Sequence, residues 1–260
     1  MQNPNEDSSA VAHMKSQKLF FDMEHAKGTY AKYALENWRI SYLRRVFKAL
    51  DLKSDDLFLD IGCGGLGYVV VEVAKRKNCY SIGVDISPIG AKQASSFAKK
   101  YLSAHCSCEF IVCSATHLPF TDNLFSKITL IAVLEHIPDE QSVLSEISRI
   151  CRDKGKVLIS VPNSYQRTLP LLTLAKIRVD NAVGHLRSYK AEDLLKNLIP
   201  LRFTLQSLSY HAHFVKGVQY VLQYFPPNAG NELWWLLEDV DDYMNKIPIG
   251  FDFTMVLEKQ

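Results

Sequence analysis

The residues best suited to chemistry stand together between positions 60 and 67. Asp60-Ile61-Gly62-Cys63-Gly64-Gly65-Leu66-Gly67 follows a short apolar run, Leu57–Ile61, and leads into a helical pattern. Glycines after a strand permit a tight turn and let a ligand approach the backbone closely. Gly62-x-Gly64-x-x-Gly67 has the spacing of a dinucleotide phosphate loop, and an acid, Asp85, follows near the offset at which such folds hold a ribose. A plain turn needs no such density of glycine, so the loop reads as a nucleoside-cofactor site.

Asp60 separates two candidate cofactors. It ends the strand two residues before the first glycine. A carboxylate there repels a pyrophosphate docked on the following helix. It suits a cation, such as the ammonium of the methionine end of S-adenosylmethionine. Asp85, at the tip of Gly83-Val84-Asp85, can accept both ribose hydroxyls, which either nucleoside offers. A helix N-cap is the competing role for Asp85, although Ser87, just before Pro88, can fill that place.

The elements that must hold these residues follow from periodicity. Apolar runs at 57–61, 80–84, 109–113, 127–133 and 156–161 read as strands, and helical patterns occupy 69–77, 89–101 and 140–151, the last with Asp139 as N-cap. Strands apolar on both faces, alternating with helices, imply a covered parallel sheet with its ligand at the strands' carboxyl ends. Residues 191–198 read as a helix, and 203–209 and 251–257 as strands. Residues 1–18 are polar and read as a flexible tail, and 19–50 as an N-terminal helical cap. The interval 211–249 is too long for a simple connection and reads as a helical insertion. Its adjacent Trp234 and Trp235 cannot share one narrow helix stripe, so one of them is expected to face an acceptor pocket, a partner or a membrane surface.

With these motifs in place the chain resembles the class I S-adenosylmethionine-dependent methyltransferases, especially the small-molecule branch with the ubiquinone and menaquinone enzymes (methyltransferase type 11). Ala115-Thr116-His117-Leu118-Pro119-Phe120 is similar to that branch's A-x-x-L-P-F segment. Leu134-Glu135-His136 matches its L-E-H, Gly155 to Asn163 its fifth strand ending P-N, and Gly184-His185-Leu186-Arg187-Ser188-Tyr189 its H-x-R-x-[FY]. The resemblance implies an α/β fold: a Rossmann-like seven-stranded methyltransferase sheet, mostly parallel with an antiparallel last strand, helices on both faces. It implies one such domain over 19–260, with Asp60, Gly62, Cys63, Gly64, Gly67, Asp85, Ile86, Ser114, Ala115 and Ile131 at the cofactor. Leu66 stands where the family places a glycine, and Ser114 where it often places Asp.

Methyl transfer from a sulfonium needs alignment above all, and a base only for acceptors that must lose a proton. His136 is the candidate base, with a structural loop histidine as the alternative. Tyr30, Tyr33, His185, Tyr189 and Trp234 are candidates for the acceptor pocket, with core packing as the alternative. The strand-four segment Ile131-Ala132-Val133-Leu134 lacks the Asn/Asp-Pro-Pro-aromatic motif of amino-methyltransferases acting on nucleic-acid bases. No metal set is read: His211 and His213 lack a third ligand, and His105, Cys106 and Cys108 lack a second half. An NAD(P)-dependent oxidoreductase and a non-catalytic cofactor-binding scaffold subunit remain as alternatives.

Composition narrows the field further. Apolar residues make up 47% and charged residues 22% of 260 residues, enough for a large core without disulfides. The formal net charge of +2 gives no sign of a nucleic-acid partner. The polar start lacks a signal peptide's apolar stretch, and no run reads as a transmembrane segment. The expectation is a cytoplasmic protein with reduced cysteines and a small-molecule partner. The oligomeric state is not readable.

Overall fold

The computed structural model describes residues 4–27, 37–103, 106–164, 170–212, 236–237 and 239–260. Two helices come first, α1 (Pro4–Ala26) and α2 (Asn37–Leu50). There follow β1 (Leu57–Ile61), α3 (Tyr68–Lys77), β2 (Tyr80–Asp85), α4 (Pro88–Tyr101), β3 (Cys108–Val112) and β4 (Phe125–Ile131). A 3-10 turn at Leu134–His136 leads to α5 (Glu140–Ile150), β5 (Cys151–Pro162), α6 (Pro170–Val183), α7 (Ala191–Leu198), β6 (Phe203–His211) and β7 (Asp252–Lys259).

The seven strands form one sheet in the order β3-β2-β1-β4-β5-β7-β6. The ladders from β3 to β5 are parallel, and β7 runs antiparallel to both β5 and β6. The order reverses between β1 and β4, and such a switch leaves a crevice at the carboxyl ends of those two strands. The glycine loop leaves β1 there, and the Leu134–His136 turn leaves β4 there.

The two-residue strand period explains the covering on both faces. On one side Leu59, Ile61, Ile128, Leu130, Val157 and Ile159 pack with Val143, Leu144 and Ile147 of α5 and Leu194 and Leu198 of α7. On the other Phe58, Leu158 and Val256 meet Val46 and Leu50 of α2 and Val70 and Val73 of α3. Burying a side chain of this size contributes about 1.5–3 kcal/mol. Asp60 alternates onto the second face, which makes a buried acid at that position conspicuous.

The structure departs from the sequence reading at both ends of the sheet. Residues 4–18 belong to α1 rather than to a loose tail. The helix is weakly amphipathic, but His13, Gln17, Phe21 and His25 recur every four residues and form a stripe that faces the sheet's carboxyl edge. Helix α6 has no counterpart in the sequence reading: Pro170 starts it at a favoured position for proline, and Gly184, at φ 75°, follows its end. Of the 211–249 insertion, only residues 211–212, 236–237 and 239–249 are described.

Candidate functional site

The glycine loop is folded by its own backbone. The N–H groups of Gly62 and Cys63 both donate to the Val84 carbonyl, at 2.8 and 3.0 Å, which turns the chain back across β2. Gly62, Gly64 and Gly67 all take positive φ, at 75°, 63° and 51°. A Cβ on Gly62 would collide with Val133, so the loop lies directly against the segment after β4. A Cβ on Gly64 would meet nothing within 4 Å. Gly64 therefore presents bare backbone to open space, the feature a closely bound ligand requires. Gly67 caps α3 from the left-handed region, and Leu66 is buried beneath the loop.

Asp85 closes the loop from the next strand. Its Oδ2 accepts from Gly64 N and its Oδ1 from Ser87 N, both at 2.9 Å. Burial pushes the pKa of its carboxyl up, partly opposed by these two bonds. Ser87 is the N-cap of α4, accepting from Gly90 N at 2.9 Å. The carboxylate of Asp85 is thus not spent on capping. Ile86 lies half-buried between these two.

Asp60 is 4% exposed. Burial pushes its carboxyl up to about 7, a donation from the Thr129 hydroxyl at 2.7 Å opposes the rise, and Asp85 adds to it. Cys63 sits against Gly83, and burial drives its thiol well above the ordinary range, which suits packing rather than redox work. All six cysteines are free.

Ser114 ends the connection from β3, where Cys113 N donates to Asp85 O at 3.1 Å. Its hydroxyl is 2.8 Å from that of Thr116 and accepts from Thr116 N at 3.3 Å. The rest of the Ala115–Phe120 segment is bolted to α5. Glu146 accepts from Leu118 N at 2.7 Å, and Arg149 donates to the carbonyls of Leu118 and Phe120. Ile131 ends β4 and, like Cys63, packs against the second core.

The L-E-H turn and the H-x-R-x-Y segment meet. The rings of His136 and His185 lie edge to face with centroids 4.8 Å apart. His185 Nδ1 is 2.8 Å from Asp180 Oδ1, and its Nε2 is 3.8 Å from Glu135 Oε1. Asp180 also holds Lys176 at 2.8 Å, a pair almost wholly out of water. Burial pushes Glu135 up to about 8 and His136 down to about 4, with His185 adding to the latter. Ligand atoms of Glu135, His136 and His185 lie within 4.8 Å of one another. No local spacing in the sequence joins these three, because the fold gathers them from two distant segments.

Tyr189 and Arg187 are accounted for differently. The Tyr189 hydroxyl and Arg187 Nη1 both donate to Glu140 Oε2, at 2.9 and 2.7 Å, and Arg187 Nη2 donates to Pro138 O. Tyr189 is a buried tie between α5 and the end of β5, with its hydroxyl bonded to Glu140. Tyr30, Tyr33, Trp234, His213 and His105 lie outside the described residues. His211 is buried on β6, and Cys106 lies 3.5 Å from the Ser103 hydroxyl.

Helix α1 covers both halves of this edge. His13 Nε2 is 3.2 Å from His136 O, Gln17 donates to Gly184 O, and the Phe21 ring meets His136 edge-on. Further along, His25 packs against Gly65 and Gly90, and Ser87 hydrogen-bonds Asp22.

Residues 59–159 match the family described as a methyltransferase domain. The match begins inside β1 and ends inside β5, enclosing the glycine loop, Asp85, Ser114 and the L-E-H turn. This segment is similar to a methyltransferase domain. The demethylmenaquinone methyltransferase of Lactobacillus johnsonii is 31% identical over 53% of this chain and 54% of its own. A chain from the complex between the Haloferax volcanii Trm112 methyltransferase activator and a methyltransferase superposes with a TM-score of 0.68 at 14% identity, over 92% of this chain and 97% of its own. The Streptomyces coelicolor geranyl diphosphate C-methyltransferase, solved with Mg2+, geranyl diphosphate and S-adenosyl-L-homocysteine, gives 0.63 at 13% identity, over 85% and 79%. The chain spans about half or less of the length of the first curated relatives it matches. Among the described residues, no helix of this methyltransferase-fold chain is long and apolar enough to cross a membrane.

Proposed function

We propose that this chain is a cytosolic S-adenosylmethionine-dependent methyltransferase that acts on a small-molecule acceptor, with apolar or aromatic acceptors the expected class. The observation that carries the reading is the pairing of Gly64 with Asp85. Bare backbone at Gly64 opens beside a carboxylate at the switch point, inside the segment that matches a methyltransferase domain. In this reading Asp85, with Ile86 beside it, holds the ribose. Gly62, Cys63, Gly64 and Gly67 shape the floor, and Asp60 balances the ammonium. Ser114 and Ala115 border the adenine, and Ile131 supplies an apolar wall.

The cofactor, when bound, supplies a methyl group on a sulfonium, a good electrophile. The protein's remaining work is to align an acceptor and exclude water. His136, His185 and Glu135 stand at the adjoining strand tip and supply the polar end of the acceptor pocket. His136, neutral above about pH 4, is a weak base. His185, oriented by Asp180, is the better placed of the two to accept a proton. The carboxyl of Asp60 at the strand tip disfavours a pyrophosphate and with it the oxidoreductase alternative.

Calorimetry with S-adenosylmethionine, S-adenosylhomocysteine and NAD tests the reading. The first two are expected to bind saturably and NAD not at all. Saturable NAD binding without S-adenosylmethionine binding would overturn it.

A further inference from the structure

Glu135, His136 and His185 have a composition and burial that methyl transfer alone does not explain. Glu135 is 1% exposed, and its Oε2 has no hydrogen-bond partner among the described residues. His136 is 9% exposed, and its Nδ1 has none among them either. Buried polar atoms are nearly always paired, so two orphaned acceptors in one cluster call for a missing donor or cation. The third member, His185, turns Nδ1 to the Asp180 carboxylate at 2.8 Å and leaves Nε2 facing Glu135. A carboxylate behind a histidine, fixing its tautomer and ring plane, is the outer-shell arrangement seen behind metal-bound imidazoles.

We propose that Glu135, His136 Nδ1 and His185 Nε2 bind one first-row divalent metal ion, with Asp180 as the residue that positions His185. Two imidazoles and one carboxylate form a donor set suited to Zn2+, Fe2+ or Co2+ and poorly suited to Mg2+ or Ca2+, which prefer all-oxygen shells. Ligand atoms on a four-coordinate ion with bonds of about 2.1 Å stand about 3.4 Å apart. The Glu135–His185 separation of 3.8 Å is close to this, and the widest separation in the cluster is 4.8 Å. Closing the remaining gap calls for rotation of the Glu135 and His136 side chains.

Three protein ligands leave at least one coordination position open, as in catalytic rather than structural sites. The cluster adjoins the glycine loop, since Val133, two residues before Glu135, packs on Gly62. Resting on the function proposed above, the open position narrows the acceptor to a compound whose reacting end carries an oxygen or nitrogen able to ligate the ion. The ion would orient that end and lower its proton affinity, so that its proton leaves to water before methyl transfer and His136 and His185 need not serve as bases.

The experiment uses the full chain, stripped with a chelator and titrated with Zn2+, with S-adenosylhomocysteine binding measured on the same samples. The wild type is expected to take one Zn2+ per chain. Glu135→Gln and His185→Gln each lower that affinity at least about tenfold, while the exposed His117→Gln leaves it unchanged. Co2+ loaded into the wild type gives visible bands of a nitrogen- and oxygen-ligated ion, and Asp180→Asn shifts those bands while circular dichroism stays the same. The proposal fails if the wild type binds S-adenosylhomocysteine but no stoichiometric Zn2+ or Co2+. It also fails if Zn2+ binding survives both Glu135→Gln and His185→Gln. Zn2+ binding that depends on these residues, in a protein that does not bind S-adenosylhomocysteine, keeps the metal site and rejects the methyltransferase reading.

Discussion

The backbone N–H of Gly64 donates to the Asp85 carboxylate at 2.9 Å, so the glycine loop after β1 is fastened to the tip of β2. The same carboxylate also receives Ser87 N. Asp85 therefore has two tasks, shaping the loop and offering its remaining lone pairs to a ribose. Asp85→Ala is expected to weaken S-adenosylhomocysteine at least about tenfold, because charge-assisted hydrogen bonds contribute about 1.5–3 kcal/mol each. It also leaves two N–H groups without their acceptor and lowers stability by about 1–3 kcal/mol. Asp85→Asn keeps an acceptor for the loop and is expected to lose affinity with a smaller loss of stability. Calorimetry and thermal unfolding of the pair check this. Unchanged affinity in both variants would reduce Asp85 to a loop residue.

Gly62 and Gly64 differ in what surrounds them, and the difference separates folding from binding. Both have positive φ, which costs a side chain roughly 1–2 kcal/mol. At Gly62 a methyl group also strikes Val133, whereas at Gly64 it enters open space. Gly62→Ala is expected to destabilise the protein by more than about 2 kcal/mol. Gly64→Ala is expected to cost about 1 kcal/mol in stability and to cut S-adenosylhomocysteine affinity sharply, by filling the ligand's approach. Chemical denaturation alongside ligand titration distinguishes them. Equal affinity in Gly64→Ala and wild type would mean the open space is not the cofactor's.

The parallel core of this fold is legible in the sequence because its signals are local. An apolar run bounded by glycines marks β1, Asp139 caps α5 by accepting from Ser142 N at 3.0 Å, and Pro88 after Ser87 opens α4. Helix α1 is not legible, since its polar composition hides a stripe that only the sheet edge makes meaningful. His136 and His185 each stand out within a motif, but nothing local joins them. Glu135 and Asp180 are missed for the same reason, although Glu135 lies within the L-E-H motif. An acid five residues before His185, across a helix end marked by Gly184, is the local signal that could point to Asp180. Arg187 and Tyr189 stand in a motif that packing also holds together, since both side chains converge on Glu140.

That last pair gives a prediction of its own. Tyr189 and Arg187 converge on Glu140 Oε2, and neither bond reaches the cofactor crevice. Tyr189→Phe removes one hydrogen bond to a carboxylate and is expected to cost about 1–2 kcal/mol in stability with S-adenosylhomocysteine affinity intact. Arg187→Lys loses the fork that spans Glu140 and Pro138, and is expected to behave the same way. Unfolding midpoints and binding isotherms provide the check. A fall in affinity of tenfold or more with unchanged stability would return Tyr189 to the acceptor pocket.

Asp60 ties stability and binding to pH. Burial raises its folded-state carboxyl to about 7, against about 4 in an unfolded chain. Where the unfolded chain has released the proton and the folded one keeps it, stability falls as pH rises. Asp60 therefore contributes a decline between about pH 4 and pH 7 and no further slope above. In the metal-free chain Glu135, raised to about 8 by burial, adds a decline of the same sign that extends about one unit higher. Asp60→Asn removes the first contribution and is expected to flatten the stability profile below pH 7 while leaving the slope between pH 7 and 8. An ammonium brought beside Asp60 favours its ionised form, so S-adenosylhomocysteine binding at pH 6 is expected to release close to one proton from this group. Calorimetry in buffers of different ionisation enthalpy measures that release directly. Asp60→Asn abolishes it, and Thr129→Val, which removes the hydroxyl 2.7 Å from Asp60 Oδ1, moves the transition to higher pH. A binding enthalpy independent of buffer at pH 6 in the wild type would show that Asp60 does not meet the cofactor's cation.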